Sequence, residues 1–148
     1  MNDSNRILGI DLGDKRTGVA VTDLTGTLAG GLELIEATGL NDCAKKVMLL
    51  AEKYDVYEIV LGYPLNMNGT KGESAVKTEK FKSILEKLIK DKELEIKIIL
   101  FDERLSTLLA HVYMNETGIK SRNRKNKVDM LSAQIILQNY IDGKNKII

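Results

Sequence analysis

The sequence predicts an α/β domain, a five-stranded mixed sheet with helices packed on its faces. Three observations carry that prediction. Apolar runs near the start are separated by short Gly-bearing turns, as in an antiparallel meander. From Asn41 the apolar residues recur every three or four positions, the mark of an amphipathic helix. Beyond it, apolar runs alternate with helical stretches, so the later strands are reached by crossovers and lie parallel to an earlier one.

The run Ile7-Leu8-Gly9-Ile10-Asp11-Leu12-Gly13 organises the rest. It reads as a buried strand that carries one carboxylate. Desolvating an ionised Asp costs several kcal/mol unless something pairs with it. Asp11 therefore belongs near the end of a central strand, facing a cleft. Two explanations stand open: Asp11 binds a metal, or Arg16 or Lys15 holds it as a structural ion pair.

Residues 6–12, 17–23 and 27–35 are the three strands of the meander. Cys43, Val47, Leu50 and Tyr54 follow at helical spacing, with Asn41 as N-cap. Residues 57–62 make the fourth strand, and Pro64, Asn66, Asn68 and Gly69 mark the loop at its end. A helix from about Gly72 to Lys90 carries Val76, Phe81, Leu85 and Leu88 on one side. Leu94 to Phe101 is the fifth strand, closed by Asp102-Glu103-Arg104. Leu105 to Asn115 reads as a helix with Gly118 as its C-cap, and Lys120 to Lys127 as an exposed loop. The last helix runs from about Val128 to Ile141.

Composition narrows the function. The 148 residues fit one domain, with a substantial core. A single cysteine, Cys43, excludes an internal disulfide framework, and the lone His111 excludes a His-rich zinc site. A net charge of +1 identifies no partner, so any basic footprint must come from local clustering. No window approaches eighteen apolar residues and the first five residues are polar, so no membrane partner and a cytosolic location are expected.

Three acidic positions stand at element ends: Asp11, Glu103 with Asp102 as second choice, and Asp129. Side chains alternate across a strand, so only one of Asp102 and Glu103 faces a cleft squarely. Asp129 shares a helical stripe with Ala133, Ile136 and Tyr140. Its simpler reading is an acid in the first helical turn after an Asn126 N-cap. Taken together, carboxylates with few His or Cys suit hard cations such as Mg²⁺ or Mn²⁺. Two such ions activate water and stabilise the leaving oxygen in phosphodiester hydrolysis.

Four stretches carry a family resemblance: residues 9–18 (GIDLGDKRTG), 61–69 (LGYPLNMNG), 102–107 (DERLST) and 129–133 (DMLSA). In this order the chain resembles the YqgF family, also called RuvX and related to RuvC-like Holliday junction resolvases. The resemblance implies an RNase H-like fold and a metal-dependent nuclease acting in 5′-end processing of precursor 16S ribosomal RNA. It further implies Asp11, Glu103 and Asp129 as catalytic acids and metal ligands. The wider superfamily places an acid on the fourth strand, whereas Ile59-Val60-Leu61-Gly62 has none.

Lys120, Arg122, Arg124, Lys125 and Lys127 put five positive charges in eight residues beside Asp129. They are the expected phosphate contacts, with affinity that falls steeply in salt. A merely solvated loop is the plainer alternative. Arg16 and Arg104 follow carboxylates closely, and each either fixes an acid or meets a phosphate through its planar fork. Ser106 and Thr107 read as helix caps and His111 as structural, while a stacking role for Tyr63 rests on one loop aromatic. Competing functions are a resolvase cutting branched DNA, a non-cleaving factor on nucleic acid or an assembling ribosome, and an ATP-dependent phosphotransferase with a similar Asp-x-Gly loop. Such phosphotransferases pair two domains, and this chain has length for one. Monomer and homodimer both remain open, and a resolvase needs two sites.

Overall fold

Glycine geometry sets the first turn of the sheet. The computed structural model describes residues 4–102 and 121–146, the side chains of the latter stretch over 130–144 only. A Cβ on Gly13 would lie 2.1 Å from the Arg16 carbonyl oxygen, so only glycine admits the tight connection between β1 (Ile7–Asp11) and β2 (Arg16–Thr22). β2 pairs antiparallel with β1 and with β3 (Ala29–Glu36), which completes the expected meander. Helix α1 (Leu40–Lys53) then crosses over to β4 (Glu58–Tyr63), parallel to β1. Helix α2 (Glu73–Asp91) crosses to β5 (Lys97–Asp102), parallel to β4. The sheet order is β3-β2-β1-β4-β5, and a final helix, α3 (Ser121–Lys146), follows.

Period-two alternation divides the core between the two faces of the sheet. Leu8, Ile10, Ile59 and Leu61 point toward α1 and α2, where Val47, Phe81 and Leu85 cover them. Ile7, Ala20 and Val60 point the other way, against Ala133, Ile136 and Leu137 of α3. Full burial of such a side chain is worth about 1.5–3 kcal/mol, so each face is a substantial part of the stability. A Cβ on Gly9 would lie 2.7 Å from Leu137 Cβ and 3.2 Å from the Ala133 carbonyl oxygen, so glycine lets α3 lie directly on β1. Gln138 uses both ends of its amide: it accepts from Ala29 N at 2.8 Å and donates to Thr27 O at 3.1 Å.

Local expectations needed four corrections. Residues 121–127 form the first turns of α3 and not a loop, and the helix extends beyond both predicted ends. Lys and Arg are good helix formers and no Pro or Gly interrupts them, so an all-polar stretch propagates a helix anchored further along. Asn126 accordingly lies inside α3 and does not cap it. The N-cap of α1 is Gly39, with Asn41 inside the helix; Asp42 satisfies the entry by accepting from Thr38 N at 3.1 Å. On α2 the buried stripe is Ala75, Thr78, Phe81, Leu85 and Ile89, while Val76 is 42% exposed. The predicted helix 105–115, its Gly118 cap, Ser106, Thr107 and His111 lie outside the described residues.

Candidate active site at the ends of the parallel strands

Asp11 closes β1 and is half-buried. Its parity follows Ile7 and Gly9, so its side chain belongs to the face covered by α3. Strand pairing aligns Ile10 with Leu61 and Leu61 with Leu100, which brings Gly62 and Phe101 level with Asp11. Gly62, itself buried, adds no side chain between them. Phe101 shares the α3 face, with its ring edge-on to Tyr140 at 6.3 Å. Asp102 has the opposite parity, that of Ile98 and Leu100, and is exposed on the α2 side. Alternation therefore separates Asp102 from Asp11.

Across the β1–β2 turn, Lys77 of α2 donates to Asp14 at 3.0 Å and holds that exposed carboxyl below its ordinary pKa. Lys15 makes no ion pair among the described residues, which leaves Arg16 as the remaining candidate of the two cations suggested for Asp11. Arg16 begins β2 opposite Glu36. Tyr63 donates its hydroxyl to Glu79 at 2.7 Å, and Lys71 bridges the same carboxylate at 2.8 Å. Those two donors push the Glu79 pKa down, and the carboxylate pushes that of Tyr63 up. Tyr63 thus has a defined partner in α2 besides any stacking role. Cys43 Sγ lies 3.5 Å from Thr17 Oγ1, and burial pushes its thiol pKa up, away from the reactive thiolate.

Of the three predicted acids, only the side chain of Asp11 is described. Asp129 is helical backbone in α3, as are Arg122, Arg124, Lys125 and Lys127; Glu103, Arg104 and Lys120 lie outside the described residues. Among the described residues, no three His, Cys, Asp or Glu side chains gather as a metal cage. The fourth strand does carry a carboxylate, Glu58, which sequence reading passed over. It begins β4 at the opposite end of the sheet, 4% exposed, and accepts from Tyr140 Oη at 2.8 Å. Its signal was an acid inside an apolar run, the same signal that pointed to Asp11.

The family model described as "RuvX: Holliday junction resolvase" matches residues 5–143. The chain belongs to the RuvX family. A relative of this RuvX-family chain from Ruminiclostridium cellulolyticum, named "Putative pre-16S rRNA nuclease", is 48% identical, covering 93% of this chain and 94% of its own. One of the same name from Acetivibrio thermocellus is 41% identical, covering 97% and 99%. Among solved structures, T. thermophilus RuvC in complex with a Holliday junction substrate aligns with TM-score 0.57 at 12% identity, over 95% of this chain and 96% of that one. The fowlpox virus Holliday junction resolvase gives 0.57 at 13%, over 93% and 99%. These likenesses bear out the expected RNase H-like fold of RuvC-type resolvases. Among the described residues, no helix is long and apolar enough to cross a membrane.

Proposed function

We propose that this RuvX-family chain, as a single 1–148 domain, is a divalent-metal-dependent nuclease that hydrolyses phosphodiester bonds in structured RNA. Its substrate is precursor 16S rRNA, trimmed at the 5′ end in the cytoplasm. The observation that carries the reading is Asp11, half-buried at the carboxyl end of the central strand, in a family whose curated relatives bear the nuclease name. Ligands of mixed α/β sheets bind beyond these strand ends.

Asp11, Glu103 and Asp129 are the proposed metal ligands. An all-carboxylate donor set is hard and acceptor-only, which suits Mg²⁺ or Mn²⁺. Such an ion, when bound, supplies activation of water and charge stabilisation on the leaving oxygen. Glu103 is preferred because Asp102 belongs to the other face. Asp129 is preferred because α3 runs antiparallel to β1: Ala133 and Leu137 lie over Gly9, and Asp129 comes one turn before Ala133. Arg16 and Arg104 orient the phosphate through their planar forks, and Lys120, Arg122, Arg124, Lys125 and Lys127 draw in the backbone. With residues 121–127 helical, positions 122, 125 and 129 fall at intervals of three and four, on one face.

Incubation of the purified chain with a precursor 16S fragment and with a four-way DNA junction, each with Mg²⁺ or Mn²⁺, tests the reading. Cleavage of the rRNA fragment that Asp11→Asn abolishes is the expected result. Cleavage of the junction alone overturns the substrate assignment. It would install the second reading, a resolvase, which the family's description favours and which requires a homodimer with paired sites. Binding and cleavage both unchanged in Asp11→Asn would remove the acids from the chemistry.

A further inference from the structure

The turn that carries Asp11 opens on two sides, and the second side is a groove that the proposed chemistry does not use. Leu12 follows Asp11 with opposite parity and packs on the α1/α2 face. There it lines a small cavity of about 160 Å³ with Lys15, Thr17, Leu40 and Lys77. Leu40 and Lys77 also line the adjoining groove, about 550 Å³, between the starts of α1 and α2. Leu40, Gly72 and the 42%-exposed Val76 give that groove an apolar floor. Lys71, Lys77 and Lys80 border it, against the single carboxylate of Glu73. Lys71 is bridged to Glu79 and Lys77 to Asp14, pairs with at least one exposed member each, of the kind that contribute little. Lys80 has no ion-pair partner among the described residues.

The other end of the same two helices has the opposite character. A cavity of about 280 Å³ there is lined by Glu52, Asp55, Glu93 and Glu95, of which Glu52 is paired with Lys92 at 2.9 Å. The wall is lysine-rich at one end of the α1/α2 layer and carboxylate-rich at the other, which favours an anionic ligand at the first. A volume of about 550 Å³ lies within the roughly 300–1,000 Å³ of small-ligand pockets, room for an unpaired nucleotide.

We infer that the groove bordered by Lys71, Lys77 and Lys80 holds the single-stranded continuation of the nucleic acid whose phosphate lies at Asp11. The strand passes over the β1–β2 turn, its phosphates meet the lysines, and a sugar or base rests on Leu40 and Val76. This inference rests on the nuclease reading for the strand's starting point. The groove's affinity for single strands is a property of its own.

The test is fluorescence anisotropy of the full chain with a labelled single-stranded oligouridylate, without divalent metal, across a salt series. The charge-reversing variant K71E/K77E/K80E is expected to bind about tenfold or more weakly, with a salt slope smaller by about two, as loss of three phosphate contacts to a single strand requires. The matched control K53E/K87E/K90E, which reverses charges outside the groove on the same helices, is expected to bind like the wild type. Thermal melts followed by circular dichroism report folding, and K80E alone, which breaks no ion pair, repeats the test should the triple variant unfold. Oligouridylate carrying 4-thiouridine is expected to crosslink to the peptide spanning Lys71–Lys80. Wild-type affinity and slope in K71E/K77E/K80E overturn the inference, as does equal weakening in the control. Competition by polyglutamate or by duplex RNA as strong as that by the single strand also overturns it. Cleavage of rRNA with unaltered groove-variant binding would sink the groove and spare the nuclease. Absence of cleavage with weakened groove-variant binding would do the reverse.

Discussion

Asp11 and Glu58 are two carboxylates on the same face of the same sheet, one at each end, and they differ in burial. Glu58 is 4% exposed, accepts from Tyr140 Oη at 2.8 Å, and has Lys144 Nζ at 3.7 Å. Lys144 in turn donates to Tyr57 Oη at 2.9 Å and sits over the Tyr57 and Tyr140 rings. That end clamps the far turn of α3 onto β4. Asp11 stands half-buried where the parallel strands end, beside a strand position without a side chain, Gly62. The contrast teaches that an acid in an apolar run is a question and not an answer. Where matched donors enclose it, as at Glu58, it is structural; Asp11 differs in standing half-buried at the carboxyl end of the central strand, where ligands of such sheets bind.

The comparison breaks most directly at Asp11. Asp11→Asn is expected to lower cleavage by about a hundredfold or more, corresponding to about 2.7 kcal/mol of barrier, while the melting temperature moves little. Equal losses of activity and stability would make Asp11 a second Glu58. The converse variant is Tyr140→Phe, which strands a buried carboxylate without its donor and is expected to cost about 1–3 kcal/mol in urea unfolding. Its cleavage per folded molecule is expected to match the wild type, and a deep activity loss would deny the separation of the two ends.

A smaller effect follows at Gly9, between the ends. Gly9→Ala sets a methyl group 2.7 Å from Leu137 Cβ and is expected to cost about 1–2 kcal/mol by overpacking. Because it lifts α3 from β1, cleavage falls with it. The smallest effect is a pH dependence. Burial, with the hydrogen bond to Glu58, raises the Tyr140 phenol above its ordinary pKa of 10. A raised folded-state pKa means that the stabilisation is complete below pH 10 and is lost as the pH rises beyond it. Denaturation curves across that range are expected to decline less for Tyr140→Phe than for wild type; parallel curves would remove Tyr140 from the alkaline transition.

Much of this organisation was legible in the residues. Ile7 to Asp11 as a central strand, the antiparallel meander and both parallel crossovers follow from runs bounded by glycine turns and from the switch in apolar period. The stripe Ala133, Ile136, Tyr140 packs inward as its spacing predicted. Less legible was anything whose sign depends on neighbours. The 121–127 run has no apolar residue to betray a period, yet it is helical because a long, well-packed helix continues through it. Lys71, Lys77 and Lys80 look like an ordinary solvated face until α1 is laid beside them.

The sequence by itself determined the fold class, the family and the acid on the central strand, because these depend on local periodicity and short motifs. Only the tertiary structure decided that Asp102 faces away from Asp11, that Glu58 is enclosed, and that the two ends of the α1/α2 layer differ in charge. The physical reason is that parity, burial and the local field are relations between segments far apart in the chain, fixed when strands pair and helices dock.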